Sequence, residues 1–309
     1  SKVIDFLKVR ASAGVIGNDR IPNFGFVSLL DGEGQYVFNG QVANGTAAGA
    51  LSNPEIKWEE QFTTNIGLDM KFLSNKLNVT LDYFNKDTKD LLIAPQVSGI
   101  LGSGAPGSSA PFINGGDIRN KGLEFSIGYS DQVSDDFSFN VSYNVATLDN
   151  EVLAVNNENG FIEAGSFGVG QPNITRMQEG YTIGYFYGYQ TDGIFQNAAE
   201  VAAHPSQFSL AGVNAQPGDF RYKDLNGDGV VDLDDRTDLG NALPDFTMGM
   251  NLSFNYKNWD VQTYLFASIG NEMVRNYERN QPLTNLTTNA LGRWTGEGST
   301  NSMPRVTTG

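Results

Sequence analysis

Strict alternation of apolar and polar residues, repeated in runs of similar length, is what most constrains the fold of this chain. From Phe62 to Phe72 the even positions carry Phe62, Ile66, Leu68, Met70 and Phe72, with Asn65, Gly67, Asp69 and Lys71 between them. Leu77, Val79, Leu81 and Tyr83 alternate with Asn78, Thr80 and Asp82. Leu123, Phe125, Ile127 and Tyr129 alternate with Glu124, Ser126 and Gly128. Phe137, Phe139, Val141, Tyr143 and Val145 oppose Ser138, Asn140, Ser142 and Asn144. Phe246, Met248, Met250, Leu252, Phe254 and Tyr256 oppose Thr247, Gly249, Asn251, Ser253 and Asn255. A period of two sends successive side chains to opposite faces of a sheet, so each run predicts a strand with one apolar face. The runs are about 9–11 residues long, the length of a tilted membrane-crossing strand rather than the usual soluble one. Aromatic residues at their ends (Phe62, Phe72, Tyr83, Tyr129, Tyr143 and Tyr256, with Trp259 close by) match the girdles of membrane barrels.

A soluble β-sandwich also alternates, and connection lengths separate the two. Strands 62–72 and 77–85 are joined by Leu73–Lys76, 121–129 and 137–146 by Ser130–Asp136, and 246–256 and 260–268 by Lys257–Trp259. Between these hairpins run the long connections 13–61, 86–120 and 147–245. Long structureless loops are rare in compact soluble domains, whereas outer-membrane barrels alternate short periplasmic turns with long extracellular loops. The expectation is an all-β transmembrane antiparallel barrel with long extracellular loops. Its first strand lies near Val3–Ser12 and its last near Asp260–Ser268, both running outward, with 269–309 opening another outer loop. That makes seven strands with an unpaired edge on each side, which lipid does not tolerate, so a piece of a larger barrel is expected.

Composition agrees and excludes other classes. Gly numbers 36, Phe 20 and Tyr 12, and aromatics reach 11% although only 39% of residues are hydrophobic. A net charge of −15, with no basic stripe, argues against nucleic acid as a partner. With no Cys there is no thiolate metal site, redox pair or thiol nucleophile. No stretch approaches the roughly 20 apolar residues of a membrane-spanning helix, which leaves strands as the means of crossing.

One motif is sharp. Residues 224–235 have the spacing of a twelve-residue calcium loop. Asp224, Asn226 and Asp228 take positions 1, 3 and 5, Gly229 the sharp turn at 6, Val230 the backbone carbonyl at 7, and Asp232 and Asp235 positions 9 and 12. Asp rather than Glu at the last position resembles dockerin-type calcium repeats. The expectation is a structural Ca2+, with a metal-free acidic turn as the competing reading. The aromatic cluster Tyr181, Tyr185, Phe186, Tyr187, Tyr189 and Phe195 offers Tyr185, Tyr187 and Tyr189 as ligand or partner contacts, but packing of the loop on itself is the commoner fate of such rings. Gly102-Ser103-Gly104-Ala105-Pro106-Gly107 matches a phosphate-binding glycine pattern only formally, since it follows no buried strand and opens no helix. His204, the single histidine, has no neighbour that would make it a positioned base.

Several further segments carry a family resemblance. They are Asn53-Pro54-Glu55-Ile56-Lys57-Trp58-Glu59, the run from Leu81-Asp82-Tyr83-Phe84-Asn85-Lys86 to Asp90-Leu91-Leu92, and Asn114-Gly115-Gly116-Asp117-Ile118-Arg119-Asn120-Lys121-Gly122-Leu123-Glu124. Gly184-Tyr185-Phe186-Tyr187-Gly188-Tyr189, Pro217-Gly218-Asp219-Phe220-Arg221-Tyr222 and Leu239-Gly240-Asn241-Ala242-Leu243-Pro244-Asp245-Phe246 continue it. In this order they resemble the SusC/RagA family of TonB-linked outer-membrane proteins. The resemblance implies a segment from the C-terminal half of a large plugged barrel in the outer membrane of a Gram-negative bacterium, surrounded by lipid. It implies uptake of oligosaccharides or peptides without catalysis. It also implies a SusD-like surface lipoprotein as lid, and energy from TonB–ExbB–ExbD through regions not in this sequence. The plug, the TonB box and a closing C-terminal strand are expected to be absent from 1–309. A calcium-stabilised adhesin or carbohydrate-binding β-protein stays open as an alternative, as does a siderophore or cobalamin receptor of the same architecture.

Overall fold

The computed structural model describes residues 4–20, 25–27, 30, 32–47, 49, 52–94, 110–167, 172–275 and 287–306. The Gly102–Gly107 stretch, Val3, and parts of the connections 13–61 and 86–120 and of 269–309 lie outside them. The chain divides into two compact units. One comprises Ser1–Ala164, Thr175–Gly184 and Asn241–Glu272; the other comprises Gly165–Ile174, Tyr185–Gly240 and Met273–Gly309.

The first unit is built on seven strands, each hydrogen-bonded to the next: β1 Ile4–Asn18, β2 Glu59–Phe72, β3 Leu77–Lys89, β4 Gly116–Ser134, β5 Phe137–Thr147, β6 Phe246–Tyr256 and β7 Trp259–Ile269. Every pairing is antiparallel. Among the described residues β1 and β7 pair on one side only. All six strands expected beyond the first are present, and β1 runs on to Asn18. Register aligns the alternation of all seven. One row runs Val9–Leu68–Leu81–Phe125–Val145–Met248–Ala267, and its neighbour on the other face runs Lys8–Asp69–Thr80–Ser126–Asn144–Gly249–Phe266. On the apolar face Val9 is 71% exposed and Leu265 53%, so among the described residues that face is left largely uncovered. From Phe62 to Phe72 it extends about 33 Å along the strand at about 3.3 Å per residue. The usual barrel tilt of about 40° projects this to about 25 Å, the height of a barrel's lipid band.

The strands exceed the expected length: β2 has 14 residues, β3 13, β4 19 and β1 15. At one end β4 continues to Ser134, through most of the turn expected at Ser130–Asp136; at the other end the extra residues (Ala13–Asn18, Glu59–Gln61, Asp87–Lys89 and Asp117–Lys121) are mostly polar, apart from Val15, Ile16 and the buried Ile118. The ladder continues past the apolar band because it needs backbone partners, not lipid. There Arg119 forks onto Asp87 at 2.7 and 2.8 Å.

The long connections are not structureless. Gly32–Phe38 and Gln41–Ala47 form a hairpin whose turn residues Asn39 and Gly40 have φ of 49° and 74°, a turn with both central residues left-handed. After β5 the chain steps aside at Leu148, and Asp149–Val155 takes over pairing with the Gly116–Lys121 part of β4. Buried Ile118, Val152 and Met177 form a small core there, with Leu91, Val155, Ile162 and Ile183 packed on it.

The second unit is made of short pieces. Tyr185–Tyr189 pairs with Arg236–Asp238, and Thr191–Ile194 pairs with Phe220–Tyr222. Ala198–Ala203 and Phe208–Ala211 are single helical turns, the first capped by Asn197, whose side chain accepts the Glu200 N–H. Val231, Ile194, Phe195 and Tyr185 are each at most 2% exposed.

Candidate functional site

The calcium-type loop lies in the second unit and is closed by its own side chains. Asp224 accepts from the N–H groups of Gly227 (2.6 Å) and Gly229 (2.9 Å), Asn226 from Asp228 (2.9 Å), and Asp228 from Val230 (2.9 Å). Gly227 and Gly229 have φ of 77° and 89°, left-handed values that Gly adopts at no steric cost. Asp232 caps the 3₁₀ turn Leu233–Asp235 by accepting the Asp234 N–H at 2.9 Å. Asp235, fully buried, closes the ring: Oδ1 accepts from Leu225 and Asn226 (2.7 and 3.3 Å), and Oδ2 from Asp232 (2.8 Å). Burial pushes its carboxyl pKa up, but the three N–H groups together outweigh this and hold it below the ordinary value.

Five of the six proposed ligand residues bring side-chain oxygens into this one turn, and the sixth, Val230, is exposed within it. In this structure the carboxylates are turned onto the loop's own N–H groups. Among the described residues, no three His, Cys, Asp or Glu side chains gather closely enough to hold a metal ion.

The loop is tied into its unit on both sides. Val231 N–H donates to Ser206 O (2.8 Å), Ser206 N–H to Gly229 O (3.2 Å), and Ser209 Oγ to Val231 O (2.7 Å). Next to Asp235, the Arg236 guanidinium lies 4.4 Å from the Tyr187 ring centre and donates to the carbonyls of Asn173 (2.6 Å) and Tyr187 (3.2 Å).

These contacts occupy the aromatic cluster. Tyr185 is 2% exposed and meets Tyr187 edge-on, while Tyr189 leans on Tyr222 at 5.6 Å. Burial raises the pKa of Tyr189, and Arg236 opposes it; burial also raises that of Tyr222. Tyr187 and Tyr189 are half-buried. His204 faces the Pro205 carbonyl at 2.9 Å and stands edge-on to Phe195.

One cluster on the polar face escaped the sequence reading. Arg10 reaches across Gly67, forks onto Asp69 (2.8 and 3.0 Å) and also donates to Asp82 at 2.8 Å. A Cβ at Gly67 would fall within 2.7 Å of both the Arg10 guanidinium and the Asp82 carboxylate. Alternation puts Gly67, Asp69 and Asp82 at polar positions, but only the register of the three strands brings them together with Arg10.

The sheet, with one face for lipid and one polar, has counterparts among known proteins. The family model described as TonB dependent receptor-like, beta-barrel matches residues 2–271. TonB-dependent receptor P3 of Formosa agariphila is 30% identical over 99% of this chain, and TonB-dependent receptor SusC of Bacteroides thetaiotaomicron is 28% identical over 94%. The chain spans 30% and 27% of their lengths. A solved structure described as the RagAB peptide transporter superposes with a TM-score of 0.74 at 20% identity, covering 99% of this chain and 32% of its own, and so shares the fold. This chain therefore belongs to the family of TonB-dependent receptor-like β-barrels, proteins of the Gram-negative outer membrane.

Proposed function

We propose that residues 1–309 form part of the wall of a nutrient importer that takes up oligosaccharides or peptides, driven through TonB, with a SusD-like lipoprotein as its lid. The observation that carries this reading is the register of the seven strands, which joins one apolar and one polar face across the whole sheet. An exposed apolar band of that size favours lipid over water and so disfavours the free-standing adhesin. The test uses cells with the gene for the whole protein deleted and then restored. Uptake of labelled oligosaccharides or peptides should be lost and regained, with a surface lipoprotein co-purifying. Rescue of ferric siderophore or cobalamin uptake instead would sink this reading in favour of that receptor class.

We further propose that residues 224–235 bind Ca2+ in a structural role. The support is the all-oxygen donor set of Asp224, Asn226, Asp228, the Val230 carbonyl, Asp232 and Asp235, together with the tight turn at Gly227 and Gly229. Each carboxylate keeps lone pairs beyond those used by the N–H groups. Protease cleavage within 224–235 of the whole protein should speed up on chelation and slow on re-adding Ca2+. Equal cleavage in both states favours the metal-free acidic turn.

A further inference from the structure

Two stretches of the second unit, roughly a hundred residues apart in sequence, are laced together. Phe195 N–H donates to Asp219 O (3.0 Å), Gly218 N–H to Phe195 O (2.7 Å) and Arg305 N–H to Gly218 O (2.8 Å), so Arg305 extends a main-chain pairing begun by Phe195 and Gly218. Side chains repeat the connection. Asn301 Oδ1 accepts the Ile194 N–H at 2.8 Å. Gln196 donates to Thr300 O at 3.0 Å and accepts from Trp294 Nε1 (3.2 Å) and the Gly298 N–H (2.9 Å). Arg305 forks onto Asp219 at 2.6 and 3.3 Å.

Two glycines make room for this. Gly193, with φ of 126°, has Asn301 2.6 Å from where a Cβ would stand. Gly218, with φ of 94°, has the Trp294 ring at 2.6 Å and Arg305 at 2.9 Å. A close approach at two separate backbone points, each reserved for Gly, marks a seated segment rather than a chance contact. The seat is firm, since Ile194 and Phe195 are each 1% exposed.

We propose that residues 294–305 are a strap that closes the 192–222 lobe, so that the two stretches order and loosen as one. Removing the strap leaves the Ile194 N–H, the Gly218 carbonyl and the Gln196 amide without these partners, and groups left unpaired in this way weaken the whole local unit. Coupling of this type is reciprocal, so whatever grips the strap from outside also tightens the lobe.

Hydrogen exchange on the whole protein in detergent tests this, using Arg305→Ala and Asn301→Ala. Each should speed exchange across 192–200 and 216–222 by about tenfold, with β1–β7 unchanged. Arg293→Ala, which among the described residues removes a side-chain contact to the Ala290 carbonyl, should leave the lobe as it was. Faster exchange confined to 294–306 overturns the proposal, and so does an equal rise throughout β1–β7. If either Ala variant fails to assemble, Arg305→Lys, which keeps the charge without the fork, and Asn301→Ser are read in the same way.

Discussion

Gly122 and Gly128 lie on the same face of β4, and the structure separates them sharply. A Cβ on Gly122 would stand 2.1 Å from the Thr147 carbonyl oxygen and 2.9 Å from the Phe84 ring, at the point where β5 ends and the chain steps aside. At Gly128 the nearest atom is 3.9 Å away. Gly122→Ala must therefore move backbone and should cost about 1–3 kcal/mol. Gly128→Ala should stay within about 0.5 kcal/mol. Denaturant midpoints of the whole barrel decide between them, and equal shifts would contradict the geometry. Asp235 makes a pH prediction. Its folded pKa lies below the ordinary 3.8, because the N–H groups of Asp232, Leu225 and Asn226 outweigh the opposing effect of burial. A depressed folded value contributes stability above the unfolded pKa and loses it as pH falls through the folded one. With calcium removed by a chelator, pulses of an acid-stable protease should find loop 224–235 equally resistant from about pH 7 to 5, with loosening only below about pH 4. Loosening already at pH 6 would mean that another group holds the loop. The spacing of Asp224 to Asp235 was legible in the sequence. That Asp235 is buried and committed to three backbone donors was not, since burial depends on what surrounds the loop.

At the scale of elements, the face assignment is the testable claim. Phe125 and Ser126 are neighbours on β4 that point to the apolar and polar faces, in register with Leu81 and Thr80. Phe125→Arg puts a cation in the middle of the lipid band and should cost about 2–4 kcal/mol. Ser126→Arg, on the polar face, should cost far less. Folding free energies of the whole protein in phospholipid vesicles check this, and similar costs for both would invalidate the assignment. Five of the seven strands were visible in advance as alternating runs, because period two is a local property, and the first and last were placed from the spacing of the connections. The full lengths of the strands were not visible: Asp117–Lys121 and Asp87–Lys89 lose the alternation yet keep pairing through the backbone. The hairpin Gly32–Phe38 and Gln41–Ala47 was passed over although Asn39-Gly40 between Val37-Phe38 and Gln41-Val42 is a strong turn signal. Treating 147–245 as one loop likewise hid Asp149–Val155, whose partner is a strand about thirty residues upstream.

For the whole molecule, the apolar face running across seven strands makes lipid or detergent a requirement. The 309-residue chain made alone should be monodisperse only in detergent. A monodisperse, detergent-free preparation, checked by light scattering, would overturn the membrane assignment. The sequence by itself determined where the seven strands of the large sheet lie, which face of each is apolar, and that residues 224–235 have the spacing of a cation-type loop, because alternation and short spacings act between near neighbours. Tertiary structure alone decided that Arg10 bridges Asp69 and Asp82, that Asp149–Val155 succeeds β5 along β4, and that Arg305 closes on Asp219 from 86 residues away. Those contacts join residues whose local patterns carry no mark of each other. They form only once the chain between them has closed, and their stability rests on the groups that meet there.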